Sequence, residues 1–314
     1  MVIKMDIDNQ ILENFINIYS GILANNQKFA TKKETIDIIT DDIIYEFDLK
    51  EFVELKEKYN LEYIAEGKSD FERAVSLLKY FSPKLTHSSW YDNHIECNAL
   101  RLLEYSFDNP NQGINCLNKS KILEECLLAI GIYARRVGVM PYSPYDFDNH
   151  VVVEMFDRSL NKWIMLDPTT NGYFIDENKH PLSLLEIRDK FANDEFVTYI
   201  DANFNLLEYN SLEKLEELKE SNLEQNVYIC KNLFYFTIDK KSTFGYDGNS
   251  HIFLPTSFSL KSHMIQNLKY RIKHMPKEYE DFIEDAKKRL EKIQKRNEFQ
   301  ITDINVMIKS PLDK

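Results

Sequence analysis

Cys116, His150 and Asp167, in that order along the chain, are the side-chain types from which a thiol nucleophile is assembled. A thiol attacks carbonyl carbon well only as thiolate, so it needs a nearby base and a positive environment. The base is a histidine, held in turn by a carboxylate or amide. Ile114-Asn115-Cys116-Leu117 opens an apolar-periodic stretch closing at Gly131, which puts Cys116 at a helix N-terminus. That end offers unpaired N–H groups and partial positive charge. Gly113 lets the chain come in tightly just before it. Cys97, Cys126 and Cys230 form no CxxC pair and no zinc spacing with it. For a cysteine without partners the commoner role is a small buried hydrophobe, so Cys116 depends on His150 and Asp167.

The elements that carry those two residues make a geometric offer. His150–Phe156 and Lys162–Asp167 read as two strands of a hairpin around Asp157–Asn161. Side chains alternate faces along a strand. His150 and Asp167 share a face only if paired residue numbers sum to an odd number. Pairing Asp157 with Lys162 across a four-residue loop satisfies this and sets Asp167 opposite Val152, diagonal to His150 at roughly 7–8 Å; a six-residue loop also satisfies it and would set the two directly opposite. An odd loop without a bulge would separate them.

Around this hairpin the chain alternates helices and strands. Ser69 and Glu72 form a capping box for a helix through Phe81, stopped by Ser82-Pro83. A polar, aromatic loop, Thr86–His94, precedes a helix bearing Ile95, Ala99, Leu102 and Leu103. Residues 116–130 form a central helix, Ile132–Val139 a strand, and Pro141–Asn149 a loop ending at His150. Upstream, Ile36–Phe47 reads as strand and Glu51–Tyr59 as a short helix. Downstream the pattern predicts helices at Leu182–Phe191, Leu212–Leu223 and around Tyr279–Ile293, and strands at Val227–Ile238 and Phe299–Ile308. The fold class is therefore α+β. Residues 1–60 form a packing module, 61–200 a catalytic core, and 201–314 a C-terminal α+β extension.

Composition narrows the partners. The net charge of −12 disfavours nucleic acid and anionic membrane surfaces. The start of the chain lacks a signal-peptide pattern and no window is apolar enough to span a bilayer. A cytoplasmic protein with reduced thiols is the expectation.

Jointly, the motifs resemble the transglutaminase-like superfamily. They are Cys116 on a helix ending Gly131-Ile132-x-Ala134-Arg135, then His150-Val151-x-Val153-Glu154, then Trp163-x-x-Leu166-Asp167-Pro168-Thr169. Asp92-Asn93-His94, the Gly113–Cys116 entry and the Met140–Tyr145 loop are similar to a bacterial branch of it. The resemblance covers about residues 65–190. It implies a papain-like core, with the nucleophile helix packed on an antiparallel sheet, and a Cys116–His150–Asp167 triad. It also implies an amide bond in a peptide, protein or small conjugate as substrate. The thioester formed would pass to water or to an amine, hydrolysis being favoured because water is always present. No cofactor and no metal are implied; the calcium loops of animal transglutaminases have no counterpart. Two other readings use the same residues: a non-catalytic peptide- or protein-binding module of this fold, and three ligands of a metal ion, which the lone thiolate argues against.

An oxyanion hole needs two donors. One is the Cys116 N–H. Trp90 is the candidate for the second, against a role as a core aromatic beside the helix. Asn93, His94, Tyr145 and Asp148 are the substrate-binding candidates, with loop capping and solvated loop acids the alternatives for Asn93, His94 and Asp148. Arg135 reads as a buried ion-pair residue at the helix-to-strand corner.

Overall fold

The computed structural model describes residues 8–313 apart from Glu34, Ile36 and Asp247. Its helices are α1 (Asn9–Ala24), α2 (Lys50–Lys58), α3 (Leu61–Ile64), α4 (Asp70–Phe81), α5 (Ala99–Asp108), α6 (Cys116–Ala129), α7 (Leu184–Ala192), α8 (Leu212–Ser221), α9 (Leu223–Asn232), α10 (Leu260–His274), α11 (Glu280–Lys295) and α12 (Ile304–Ile308). Its strands are β1 (Ile44–Tyr45), β2 (Ala134–Met140), β3 (His150–Asp157), β4 (Lys162–Leu166), β5 (Gly172–Ile175), β6 (Thr198–Asp201), β7 (Tyr235–Asp239), β8 (Lys241–Ser242) and β9 (Ser250–Phe253). The chain is α+β, built on a five-stranded antiparallel sheet in the order β4-β3-β2-β7-β9. No helix among the described residues is long and apolar enough to cross a membrane.

Residues from two parts of the sequence share this sheet, and the N-terminal part packs around it. The stretch beyond residue 201 supplies β7 and β9. From the N-terminal part, β1 pairs in parallel with β8, and α1 packs on α7 and α9. One face of the sheet, with Ala134, Val153, Met155, Ile164 and Leu166, meets α6. The other, with Val137, Val139, Val152 and Met165, meets α7 and α9.

Helix α6 is buried along nearly its whole length, charges included. Lys121 pairs with Glu124 at 3.0 Å and Glu125 at 3.4 Å. Glu125 accepts from the N–H groups of Ala99 and Gly245. Buried charges are tolerated when paired and hydrogen-bonded in this way, and here they stitch α5 and the turn after β8 onto α6. Gly131 ends the helix at φ +75°, a left-handed conformation that glycine adopts without strain.

The hairpin register is fixed at its turn. Asp157 Oδ1 accepts from the N–H groups of Ser159 and Leu160, and Asn161 takes a positive φ of 50°. Asp157 Oδ2 accepts from Phe71 N–H, and Arg158 pairs with Asp70, pinning the turn to α4. Asp157 faces Lys162 and Val153 faces Leu166, the four-residue-loop register. Arg135 forms its buried pair with Glu154 at 2.6 Å, and its guanidinium lies 3.8 Å from the Trp163 ring centre.

Several sequence expectations are corrected. Of Ile36–Phe47 only Ile44–Tyr45 is strand; Ile36 itself lies outside the described residues. Val227–Asn232 continues α9 and the strand begins at Tyr235, because Ile229, Cys230 and Leu233 fall at helical spacing in the apolar cluster with α1. Phe299–Ile308 ends as α12, started by Asp303, whose carboxylate accepts from Asn305 N–H. Glu72 completes only half a capping box: Ser69 caps the Glu72 N–H, but the Glu72 carboxylate turns to Lys68 N–H. Helix α1 has no counterpart in the sequence reading.

Candidate active site

Cys116 is the first residue of α6. Asn115 caps the helix, its side-chain oxygen accepting from Asn118 N–H at 3.2 Å. The approach is tight because residues 86–88 run alongside: Ile114 N–H donates to Thr86 O and Ser88 N–H to Ile114 O, both at 3.0 Å. A Cβ on Gly113 would fall 2.6 Å from the His87 carbonyl carbon, so only glycine fits. Asn93, at φ 57°, accepts from the side-chain amides of Asn115 (3.1 Å) and Asn118 (2.9 Å). The Trp90–His94 loop is thereby tied to the start of α6.

His150 opens β3, and its Nε2 lies 2.8 Å from Asp167 Oδ2. Both are buried, at 2% and 1% exposure. Asp167 Oδ1 accepts from Thr169 N–H at 2.8 Å, and its backbone bridges Gly172 beyond the end of β4. The shared face is the one bearing Val152 and Val139, whereas α6 packs on the opposite face, so Cys116 meets the imidazole past the end of the strand. There the Cys116 side chain is close enough to His150 to favour its charged form. Burial alone would disfavour the imidazolium; the Asp167 charge and hydrogen bond, with the Cys116 side chain, outweigh it and raise the His150 pKa to about 10. Burial likewise pushes Asp167 up, but His150 and Thr169 N–H hold its carboxyl below the usual range.

The other cysteines lie in different surroundings. Burial drives Cys126 well above its ordinary value and Cys230 up to about 12, and it raises Cys97 despite Arg136 nearby. Cys116 is half-buried.

Three further groups stand around Cys116, His150 and Asp167 that the sequence reading did not single out. Lys119, one turn after Cys116, is 2% exposed, and its Nζ reaches only Thr169 O at 3.4 Å. Among the described residues it forms no carboxylate ion pair, and burial lowers its pKa to about 8 against the attraction of Asp167 and Cys116. The signal in sequence was a charge at i+3 from the nucleophile, hidden because α6 carries charges on every side. His87, on the loop beside Gly113, is lowered by burial and by nearby Lys119 and His150. Tyr228 of α9 sets its ring 5.2 Å from the His150 ring; misreading this stretch as strand concealed it.

The named candidates divide. Asn93 is brought to the nucleophile helix, as above. His94 is paired with Asp92 and packs on Tyr91 in its own loop and on Tyr105 of α5. The Trp90 indole stacks on Tyr279 at 4.6 Å and meets Phe282 edge-on, so it faces the C-terminal helices. Tyr145 packs on Tyr270 of α10. Asp148 lies 3.5 Å from Lys231 and Asp146 lies 2.9 Å from it. Asn98, not Asn93 or His94, caps α5. Among the described residues no group of three or more His, Cys, Asp or Glu side chains is arranged to hold a metal ion.

The sequence matches no family model and no curated protein. Among solved structures it is similar to a chain of Rad4-Rad23 bound to a 6-4 photoproduct UV lesion, at 12% identity and a TM-score of 0.16. The match covers 70% of this chain and 55% of that one, so this chain spans about half of that chain's length.

Proposed function

We propose that this protein is a transglutaminase-like cysteine enzyme with a papain-like core that cleaves an amide bond through a Cys116 thioester. One observation carries the reading: a buried imidazole, 2.8 Å from a buried carboxylate, is close enough to a half-buried cysteine at a helix N-terminus to feel its charge. In the proposed mechanism Cys116 attacks the carbonyl carbon as thiolate while His150 carries the proton. His150 then protonates the departing amine, Asp167 stabilising the imidazolium throughout. Water attacks the thioester with His150 as base, which releases the acid and regenerates the thiol. The Cys116 N–H is one donor to the oxyanion. Hydrolysis is preferred to amine transfer because water is always present, whereas amine transfer requires a site that excludes it.

Iodoacetamide labelling at neutral pH, mapped by peptide mass spectrometry, tests the reading. Cys116 is expected to react well ahead of Cys97, Cys126 and Cys230, and Cys116→Ala to abolish hydrolysis of peptide amides. Uniform labelling of all four in the folded protein would refute the activated nucleophile and leave a binding module of the same fold.

A further inference from the structure

Beside the triad lies a cavity of about 270 Å³ between the sheet and the helices α10 and α11. Met140 and Thr237 contribute to its floor, and Asp148 and Asn149, the two residues before His150, line its rim. Arg271 and Arg289, one from each helix, line it as well.

Both arginines enter this space without a full set of partners. Arg271 donates from Nη2 to Phe147 O at 2.8 Å, but its Nε is buried with no hydrogen-bond partner. A buried donor left unpaired is costly, and an arginine offers its N–H groups in a fork that matches a carboxylate. Among the described residues Arg289 pairs only with Asp285, on its own helix, at 3.8 Å, and it is half-exposed. Burial, with Arg289 close by, lowers the pKa of Arg271 against the attraction of Asp146 and Asp148. Two acids also line or approach it, Asp146 and Asp148, and both are already engaged by Lys231. Helix α10 is held in place over the rim, the Asn267 side-chain amide donating to Pro144 O and Asp146 O. A chain of net charge −12 repels anions at long range, so two guanidiniums on one cavity, one with a buried unpaired Nε, stand out.

We propose that this cavity binds a carboxylate of the substrate, so that the enzyme cuts amide bonds near a free carboxylate end rather than within long chains. The inference rests on the amide-hydrolase reading and deepens it. Asn149, the residue before His150, shares this lining with Arg271 and Arg289. The small volume fits the end of a peptide or an acylated amino acid, and α10 and α11 wall off a longer continuation.

Binding of N-acetyl-Ala-Ala, its C-terminal amide, and N-acetyl-Glu-amide to the Cys116→Ala protein, measured by calorimetry, tests this. The free acid is expected to bind at least tenfold more tightly than its amide. N-acetyl-Glu-amide separates a side-chain carboxylate from an α-carboxylate as the recognised group. Arg289→Gln, at a half-exposed site, should reduce the preference at least fivefold, and Arg271→Gln should remove it. Equal binding of acid and amide, or a preference unchanged in Arg289→Gln, would overturn the proposal. If the acid binds in an arginine-dependent way but the wild-type protein hydrolyses nothing, the subsite stands and the catalytic reading fails. If hydrolysis proceeds equally on acid and amide, the reverse holds.

Discussion

Lys119→Met should make the protein more stable and less active, and the stability gain should depend on pH in a set direction. Lys119 is 2% exposed, lacks a carboxylate partner, and has its pKa lowered from 10.5 to about 8 by burial. A folded-state pKa below the unfolded value means the folded form resists the proton. The penalty is fully present below pH 8 and fades as pH rises towards 10.5, where the unfolded lysine also loses its proton. Each pKa unit is worth about 1.4 kcal/mol, so the gap of about 2.5 units amounts to about 3 kcal/mol. Removing the 3.4 Å bond to Thr169 O returns about 1 kcal/mol of that. Methionine fills the space without a charge, giving a net gain of about 2 kcal/mol at pH 7. Urea unfolding at pH 6.5, 8 and 10 reads it. The gain should be full at 6.5 and nearly gone at 10, while labelling of Cys116 falls, because the positive charge beside Cys116 and Asp167 has been lost. A variant no more stable than wild type at pH 6.5, or a difference indifferent to pH, would refute the reasoning.

Other outcomes follow from the same geometry. His150→Ala should slow Cys116 labelling and amide hydrolysis about 10²-fold or more, as loss of a general base does. Because the His150 pKa is raised to about 10, its stabilising contribution is full below pH 6.5 and is lost as pH climbs through 10; wild type should lose that increment between pH 7 and 10 in urea titrations and His150→Ala should not. Trp90→Ala removes the stacking on Tyr279, worth about 1 kcal/mol. It should speed labelling of Cys116 by a bulky maleimide more than by iodoacetamide, whereas equal acceleration would show that α11 does not restrict access. Gly131→Ala forces a side chain into φ +75° and should cost about 1 kcal/mol in urea unfolding without altering Cys116 labelling.

Much of the candidate site was legible in local sequence because its pieces are local. Asn115 before Cys116 caps a helix whatever surrounds it, and Gly131 closes that helix at positive φ. The even loop between Asp157 and Lys162 fixed the parity that brings His150 and Asp167 to one face, since alternation along a strand is a property of the backbone. The Arg135–Glu154 pair was likewise readable as a charge in an apolar corner. Where periodicity was ambiguous the reading failed: Val227–Asn232 and Phe299–Ile308 are rich in residues that suit either strand or helix, and packing on α1 or a cap at Asp303 chose helix.

What no local pattern carried was decided by the tertiary structure. Lys119 becomes a group with a lowered pKa only because the sheet, α6 and the Asp167 turn close over it, and burial is a property of the assembled core. That Cys116 reaches His150 around a strand end, rather than across a shared face, depends on which face α6 covers. Tyr228, Arg271 and Arg289 come to the site from residues far along the chain. Sequence by itself determined which side chains have the chemistry and how each is locally oriented. Only long-range packing, by excluding water and bringing distant charges together, decided which of them act on one another.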